Sequence, residues 1–153
     1  MKIKGLISED FVNYKKPAMT IMFPCCNFKC GTEYCQNSPL SKAENIEIDI
    51  SDIVIRYLNN PITESVVMQG LEPFDSWNDL IKFIDCLRRS SNDDIVIYTG
   101  YNKEEIINKV CCLSNYKNII IKYGRYIPNQ EKHYDEVLGV YLVSSNQYAE
   151  RIS

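Results

Sequence analysis

The sequence has 153 residues, enough for one domain with a core that needs no disulfide staples. Hydrophobic residues make up 45% and charged residues 24%, as in an ordinary globular chain. The formal net charge of −3 argues against a general nucleic-acid-binding surface, because that affinity comes from Lys and Arg neutralising phosphates. The start, MKIKGLISED, lacks the apolar core of a secretory signal. No apolar run approaches the roughly 20 residues that cross a bilayer, so no membrane partner is expected. These features predict a cytoplasmic chain with reduced thiols.

In chain order, KIKGLI (2–7) carries a short strand pattern, and AMTIMF (18–23) a second one that runs straight into Cys25, Cys26, Cys30 and Cys35. The next stretch, NSPLSKAENIEID (37–49), is polar and predicts a loop. Ile50, Ile53, Val54, Tyr57 and Leu58 have helical spacing, with Asp49 or Ser51 as cap and Pro61 past the end. ESVVMQG (64–70) predicts a strand ended by Gly70. SWNDLIKFIDCLRRS (76–90) predicts a helix, with Ser76 and Asp79 spaced as a capping box and Arg88 and Arg89 in the last turn. DIVIYTG (94–100) predicts a strand. NKEEIINKVCCL (102–113) predicts a helix capped by Asn102 and Glu105. NIIIKYG (118–124) and LGVYLVSS (138–145) predict the last two strands.

Strands alternating with helices predict an α/β fold with a mostly parallel sheet, as a single domain over residues 1–153. In open α/β sheets and β/α barrels, ligands bind at the carboxyl ends of the strands. The loops FPCCNFKC, MQGLEPF, YTGY, KYGRY and VSSNQ are therefore expected at one edge.

Seven cysteines cannot all pair, and clustered cysteines in a reducing compartment point to metal or catalysis before disulfides. Cys26, Cys30 and Cys35 form a C-x3-C followed by a C-x4-C. Three thiolates on one loop can hold three corners of an iron–sulfur cube and leave one iron open to a ligand. The competing metal reading is a structural zinc site using Cys25, Cys26, Cys30 and Cys35. Zinc sites usually use paired knuckles well apart in sequence, and adjacent residues tend to point apart. Reactive or incidental thiols are a third reading. Cys86, Cys111 and Cys112 fall in predicted helices and read as packing residues. His133, the only histidine, lies in a polar stretch and is expected to be exposed. No hydrolase motif, P-loop or dinucleotide fingerprint is present.

The strand MTIMF leading into Cys26, Cys30, Tyr34 and Cys35 resembles the cluster loop (24–36 here) of radical S-adenosylmethionine enzymes. VMQGLEPF is similar to that family's Gly-Gly-Glu-Pro turn. Tyr98-Thr99-Gly100-Tyr101, Gly124-Arg125-Tyr126 and Ser144-Ser145-Asn146-Gln147 resemble segments of the small activating proteins of anaerobic (class III) ribonucleotide reductase. The resemblance runs from about Met19 to Gln147. It implies a partial, open β/α barrel. It also implies a [4Fe–4S] cluster on Cys26, Cys30 and Cys35, the catalytic metal ligands. S-adenosylmethionine would be bound by Tyr34, Gly70, Glu72, Tyr98, Thr99, Ser144 and Asn146. Tyr34 would lie beside the adenine, and Glu72 would hold the amino group. The implied partners are a large glycyl-radical enzyme and a flavodoxin or ferredoxin as electron donor. Two extra residues lie between Cys30 and Cys35, which leaves Cys25 open as an alternative first ligand. Leu71 replaces the second glycine of the turn. Lys122-Tyr123 precedes Gly124, where the activating proteins usually carry an Asp. Alternatives in function are a radical enzyme acting alone on a small molecule or peptide, and a non-catalytic iron–sulfur or zinc module.

Overall fold

Val66–Met68, Ile95–Ile97 and Ile119–Ile121 are unbroken apolar runs, the pattern of strands covered on both faces. In the computed structural model, which describes residues 1–29, 31–33, 35 and 37–153, they lie at the centre of a six-stranded sheet. Strands β3 (Ala18–Phe23), β5 (Ser65–Gly70), β6 (Asp94–Tyr98) and β7 (Ile119–Tyr123) run parallel, in that spatial order. Strand β2 (Gly5–Asp10) adds antiparallel to β3, and β10 (Tyr148–Arg151) antiparallel to β7. The result is a small mixed α/β domain with a mostly parallel central sheet. Among the described residues the sheet is not closed, and β2 and β10 are its edges.

The two faces are covered differently. Helices α2 (Ile50–Leu58), α3 (Trp77–Arg88) and α4 (Ile107–Leu113) bury Ile53, Phe83, Leu87 and Leu113 against Met19, Met68, Ile97 and Ile121. The opposite face carries Val67, Val96 and Ile120. It is covered by Tyr14, Leu138 and Leu142, from the segment after β2 and a ribbon of β8 (His133–Asp135) and β9 (Val140–Leu142). No helix among the described residues is long and apolar enough to cross a membrane.

Several expectations need correction. The stretch 37–49 is not all loop: it holds a short helix α1 (Ser38–Lys42) and β4 (Ile46–Glu47), which pairs with β1 (Lys2–Ile3). LGVYLVSS does not supply the last sheet strand. Only Val140–Leu142 is extended, and it joins the ribbon. The sheet instead ends on Tyr148–Arg151, a polar edge strand. Ser76 makes no cap hydrogen bond; a 3₁₀ turn over Pro73–Ser76 leads into α3, and Glu72 caps that turn. The second cap is present, with the Asn102 N–H donating to Glu105 at 2.9 Å. Cys86 packs partly buried against the core, whereas Cys111 and Cys112 are exposed. His133 is half-buried, because its strand pairs with β9 rather than crossing open solvent.

At the end of the sheet away from the cysteines, Asp94 is buried among donors. Lys16 lies 2.7 Å away, and Tyr14 and Arg151 each donate at 2.9 Å. Burial pushes its carboxyl up, but these three hydrogen bonds outweigh that and leave its pKa lowered.

Candidate functional site

The cysteine loop leaves β3 at Phe23, beside the end of β5. Gly70 permits this approach. Its φ is +106°, and a Cβ there would lie 2.7 Å from the Phe23 nitrogen and 2.9 Å from the Met22 Cα. The turn after Gly70 then grips the loop: the Leu71 N–H donates to the Phe23 carbonyl at 3.3 Å, and the Glu72 N–H to the Cys25 carbonyl at 2.7 Å.

Adjacent cysteines point apart. Cys26 and Cys35 line one cavity of ≈ 470 Å³ at the carboxyl ends of β5, β6 and β7. Cys25 lines a separate groove with Trp77, Asp49 and Asp52. The Phe28 N–H donates to the Cys26 sulfur at 3.2 Å. Such a donor stabilises a thiolate, the form in which cysteine binds metal. Cys30, Tyr34 and Gln36 lie outside the described residues, so two of the expected ligands and contacts have no placement here.

Glu72 forms another wall of the cavity and is 4% exposed. It accepts from the Phe74 N–H at 3.1 Å, the Thr99 hydroxyl at 2.8 Å and the Gly100 N–H at 2.9 Å. Burial drives its pKa up to about 7, although hydrogen bonds from Gly100, Thr99 and Phe74 oppose that. Thr99 is thus spent on holding Glu72, and its oxygen also accepts the Tyr101 N–H at 3.0 Å. Tyr98 faces the cavity and donates from its hydroxyl to the Asn13 carbonyl at 2.6 Å.

Two residues outside the expected ligand and cofactor-binding set also line the cavity: Lys122, noted in the sequence only as a departure before Gly124, and Gln147, the last residue of the Ser144–Gln147 segment. Lys122 is 7% exposed and donates to the Gly124 carbonyl at 3.0 Å. Burial lowers its pKa to about 8, against the pull of the Glu72 charge. Among the described residues no ion pair joins the two. The cavity therefore holds a carboxylate and an ammonium with unspent capacity. Gln147 is 4% exposed and donates to the same Gly124 carbonyl at 3.2 Å, while its Oε1 is buried with no partner among the described residues. Gly124 lets these side chains meet: its φ is +98°, and a Cβ there would stand 2.9 Å from the Asn146 carbonyl oxygen.

Ser144 and Asn146 take different places. The Ser144 hydroxyl is fully buried, accepting the Ile127 N–H at 2.9 Å and donating to the Ile127 carbonyl at 3.0 Å. The Asn146 side chain donates to the Arg125 carbonyl at 2.9 Å. Both hold the loop rather than line the cavity. The signal for Lys122 was available in the sequence: a lone lysine in an otherwise apolar central strand. Gln147 is marked only by its place in the Ser144–Gln147 segment.

A family of single-cluster [4Fe–4S] domains matches residues 18–148. The chain belongs to this family. No curated protein and no solved structure matches it. Membership makes a single [4Fe–4S] cluster the expected cofactor, and the matched span contains the four parallel strands β3, β5, β6 and β7 together with the whole cysteine loop. The residues present fit that cofactor: Cys26 and Cys35 share a cavity, and a backbone donor already faces one sulfur.

Proposed function

We propose that the chain is a radical S-adenosylmethionine enzyme of the glycyl-radical activating type. The observation that carries this reading is the convergence of Cys26, Cys35, Glu72 and Lys122 on one cavity. The family's domain is one found in radical S-adenosylmethionine-type proteins, which supports it. Cys26, Cys30 and Cys35 would hold the cluster. With cluster and cofactor bound, the chemistry supplied would be reductive cleavage of S-adenosylmethionine to methionine and a 5′-deoxyadenosyl radical, which takes hydrogen from a glycine Cα of a large partner. A partner of the anaerobic ribonucleotide reductase type and a flavodoxin or ferredoxin donor fit this role.

The chain's own residues bind and orient. The methionyl end of the cofactor carries an ammonium and a carboxylate. Glu72 suits the ammonium, and the incoming positive charge favours its ionised form. Lys122 keeps donors for the carboxylate. Thr99, Gly100 and Phe74 fix the Glu72 carboxyl, and the unpartnered Gln147 Oε1 suits an N–H or O–H of the nucleoside end. A cavity of ≈ 470 Å³ falls within the range of roughly 300–1,000 Å³ that small-molecule sites occupy. Cys25 faces the other groove, which disfavours a zinc site built from all four loop cysteines.

The test is anaerobic reconstitution with iron and sulfide, then dithionite and S-adenosylmethionine, with assay of 5′-deoxyadenosine. The reading expects product from the wild type and little or none from Glu72→Ala. A chain that binds four irons and yields no product with partner and donor present would be a non-catalytic cluster module. Retention of zinc alone would overturn the cluster assignment.

A further inference from the structure

Tyr101 joins the cysteine loop to the strand-end loops. Its hydroxyl donates to Asp75 Oδ1 at 2.7 Å and receives the side-chain amide of Asn27. The other Asp75 oxygen accepts the Asn27 backbone N–H at 2.9 Å. Asn27 directly follows Cys26. The same tyrosine is fixed to the cavity wall, because its N–H donates to Thr99 Oγ1, which in turn donates to Glu72. The Lys29 ammonium lies 5.2 Å from the Tyr101 ring centroid and the Arg125 guanidinium 5.6 Å. Lys29 is 3.9 Å from Glu105, which Arg125 grips with two bonds of 2.8 Å.

This polar set differs from core packing. Asn27 is exposed, so burying apolar area does not require its two bonds. One carboxylate accepts both a backbone donor from the loop and a tyrosine hydroxyl from the loop after β6, which ties three chain segments at one point. Charge-assisted bonds of this kind are the stronger ones.

We propose that Asp75 and Tyr101 are positioning residues, forming a latch that holds loop residues Asn27–Lys29, and through them Cys26, against the cavity wall set by Thr99 and Glu72. The latch acts through Cys26 and touches neither cofactor. As a statement about Cys26 as a metal ligand it rests on the reading above, whereas the latch's own hydrogen bonds do not. Supporting groups around metal ligands commonly change affinity by roughly 10–100-fold when removed.

The test uses Tyr101→Phe and Asp75→Asn. Phe keeps the ring and loses only the hydroxyl. Asn keeps the shape and cannot accept from both donors. Amide hydrogen exchange is followed in the reduced, iron-free chain, and iron release to a chelator in the reconstituted chain. The latch predicts exchange at Asn27 and Phe28 faster by about tenfold in either variant, with β6 and β7 unchanged, as loss of one charge-assisted bond implies. It predicts iron release faster by a similar factor. The double variant should be little worse than either single one, because the two residues act as a unit. Unchanged loop exchange in both variants would overturn the latch, as would a uniform rise across the whole sheet. If the wild type takes up no iron yet the loop still responds, the latch stands and the cluster reading fails. If iron binds and the loop does not respond, the reverse holds.

Discussion

Glu72→Gln separates what the fold prefers from what the site requires. Burial raises the Glu72 carboxyl from its ordinary 4.5 to about 7. A carboxyl raised on folding favours the folded state below its unfolded pKa, and that advantage is lost as pH rises through the folded value. Between pH 5 and pH 8 the wild type should therefore lose about 2 kcal/mol of stability through this group, at about 1.4 kcal/mol per tenfold change in proton affinity. Glutamine does not titrate. It also sets an amide N–H₂ near the Gly100 N–H, a mismatch of about 1–3 kcal/mol that does not vary with pH. Urea titrations of the iron-free chain at pH 5 and pH 8 give the difference directly. The variant should gain about 2 kcal/mol relative to wild type on going from pH 5 to pH 8, whatever its absolute stability, and should cleave no S-adenosylmethionine. A variant whose stability tracks the wild type at both pH values would refute the argument, because Glu72 would then not be held near neutrality.

Three further outcomes are expected from the proposed site and the fold. Cys26→Ala, Cys30→Ala and Cys35→Ala should each lose the cluster by iron counting, while Cys25→Ala, whose side chain faces the other groove, should keep it. Lys122→Gln should weaken S-adenosylmethionine binding by about tenfold or more in equilibrium dialysis, as expected for a lost charge-assisted bond; the wild-type affinity should fall as pH rises through about 8, where this ammonium deprotonates. Asp94→Asn should destabilise the chain by about 2–3 kcal/mol in urea, since it leaves Lys16, Tyr14 and Arg151 with a poorer acceptor. The Asp94 pKa is lowered on folding, so its contribution is present above about pH 4 and lost as pH falls further; the deficit of the variant should shrink in acid.

The sheet was legible where strands are buried on both faces, because Val66–Met68, Ile95–Ile97 and Ile119–Ile121 cannot be left in water. It was illegible at its edge. Tyr148–Arg151 pairs on one side only, its side chains are exposed or half-buried, and its sequence Tyr-Ala-Glu-Arg carries little apolar pattern. Val140–Leu142 has the stronger strand pattern but lies outside the main sheet, because its apolar residues cover the second face instead of extending the first. In the site, the cysteines stand out by spacing, and Glu72 only through the family resemblance of its turn. Lys122 is noted in the sequence only as a departure before Gly124, though a lysine buried in an apolar strand is costly and so marks a special site. The Asp75–Asn27–Tyr101 contacts join three chain segments, and no local pattern encodes them.

The most direct measurement is the electron paramagnetic resonance spectrum of the reduced, reconstituted chain before and after adding S-adenosylmethionine. A cluster held by three cysteines, with the cofactor seated between Glu72 and Lys122, should give a reduced-cluster signal that changes on addition and does not change in Glu72→Ala. A cluster signal that S-adenosylmethionine leaves unaltered in the wild type would contradict the account, because the cavity beside Cys26 would then not be a cofactor site.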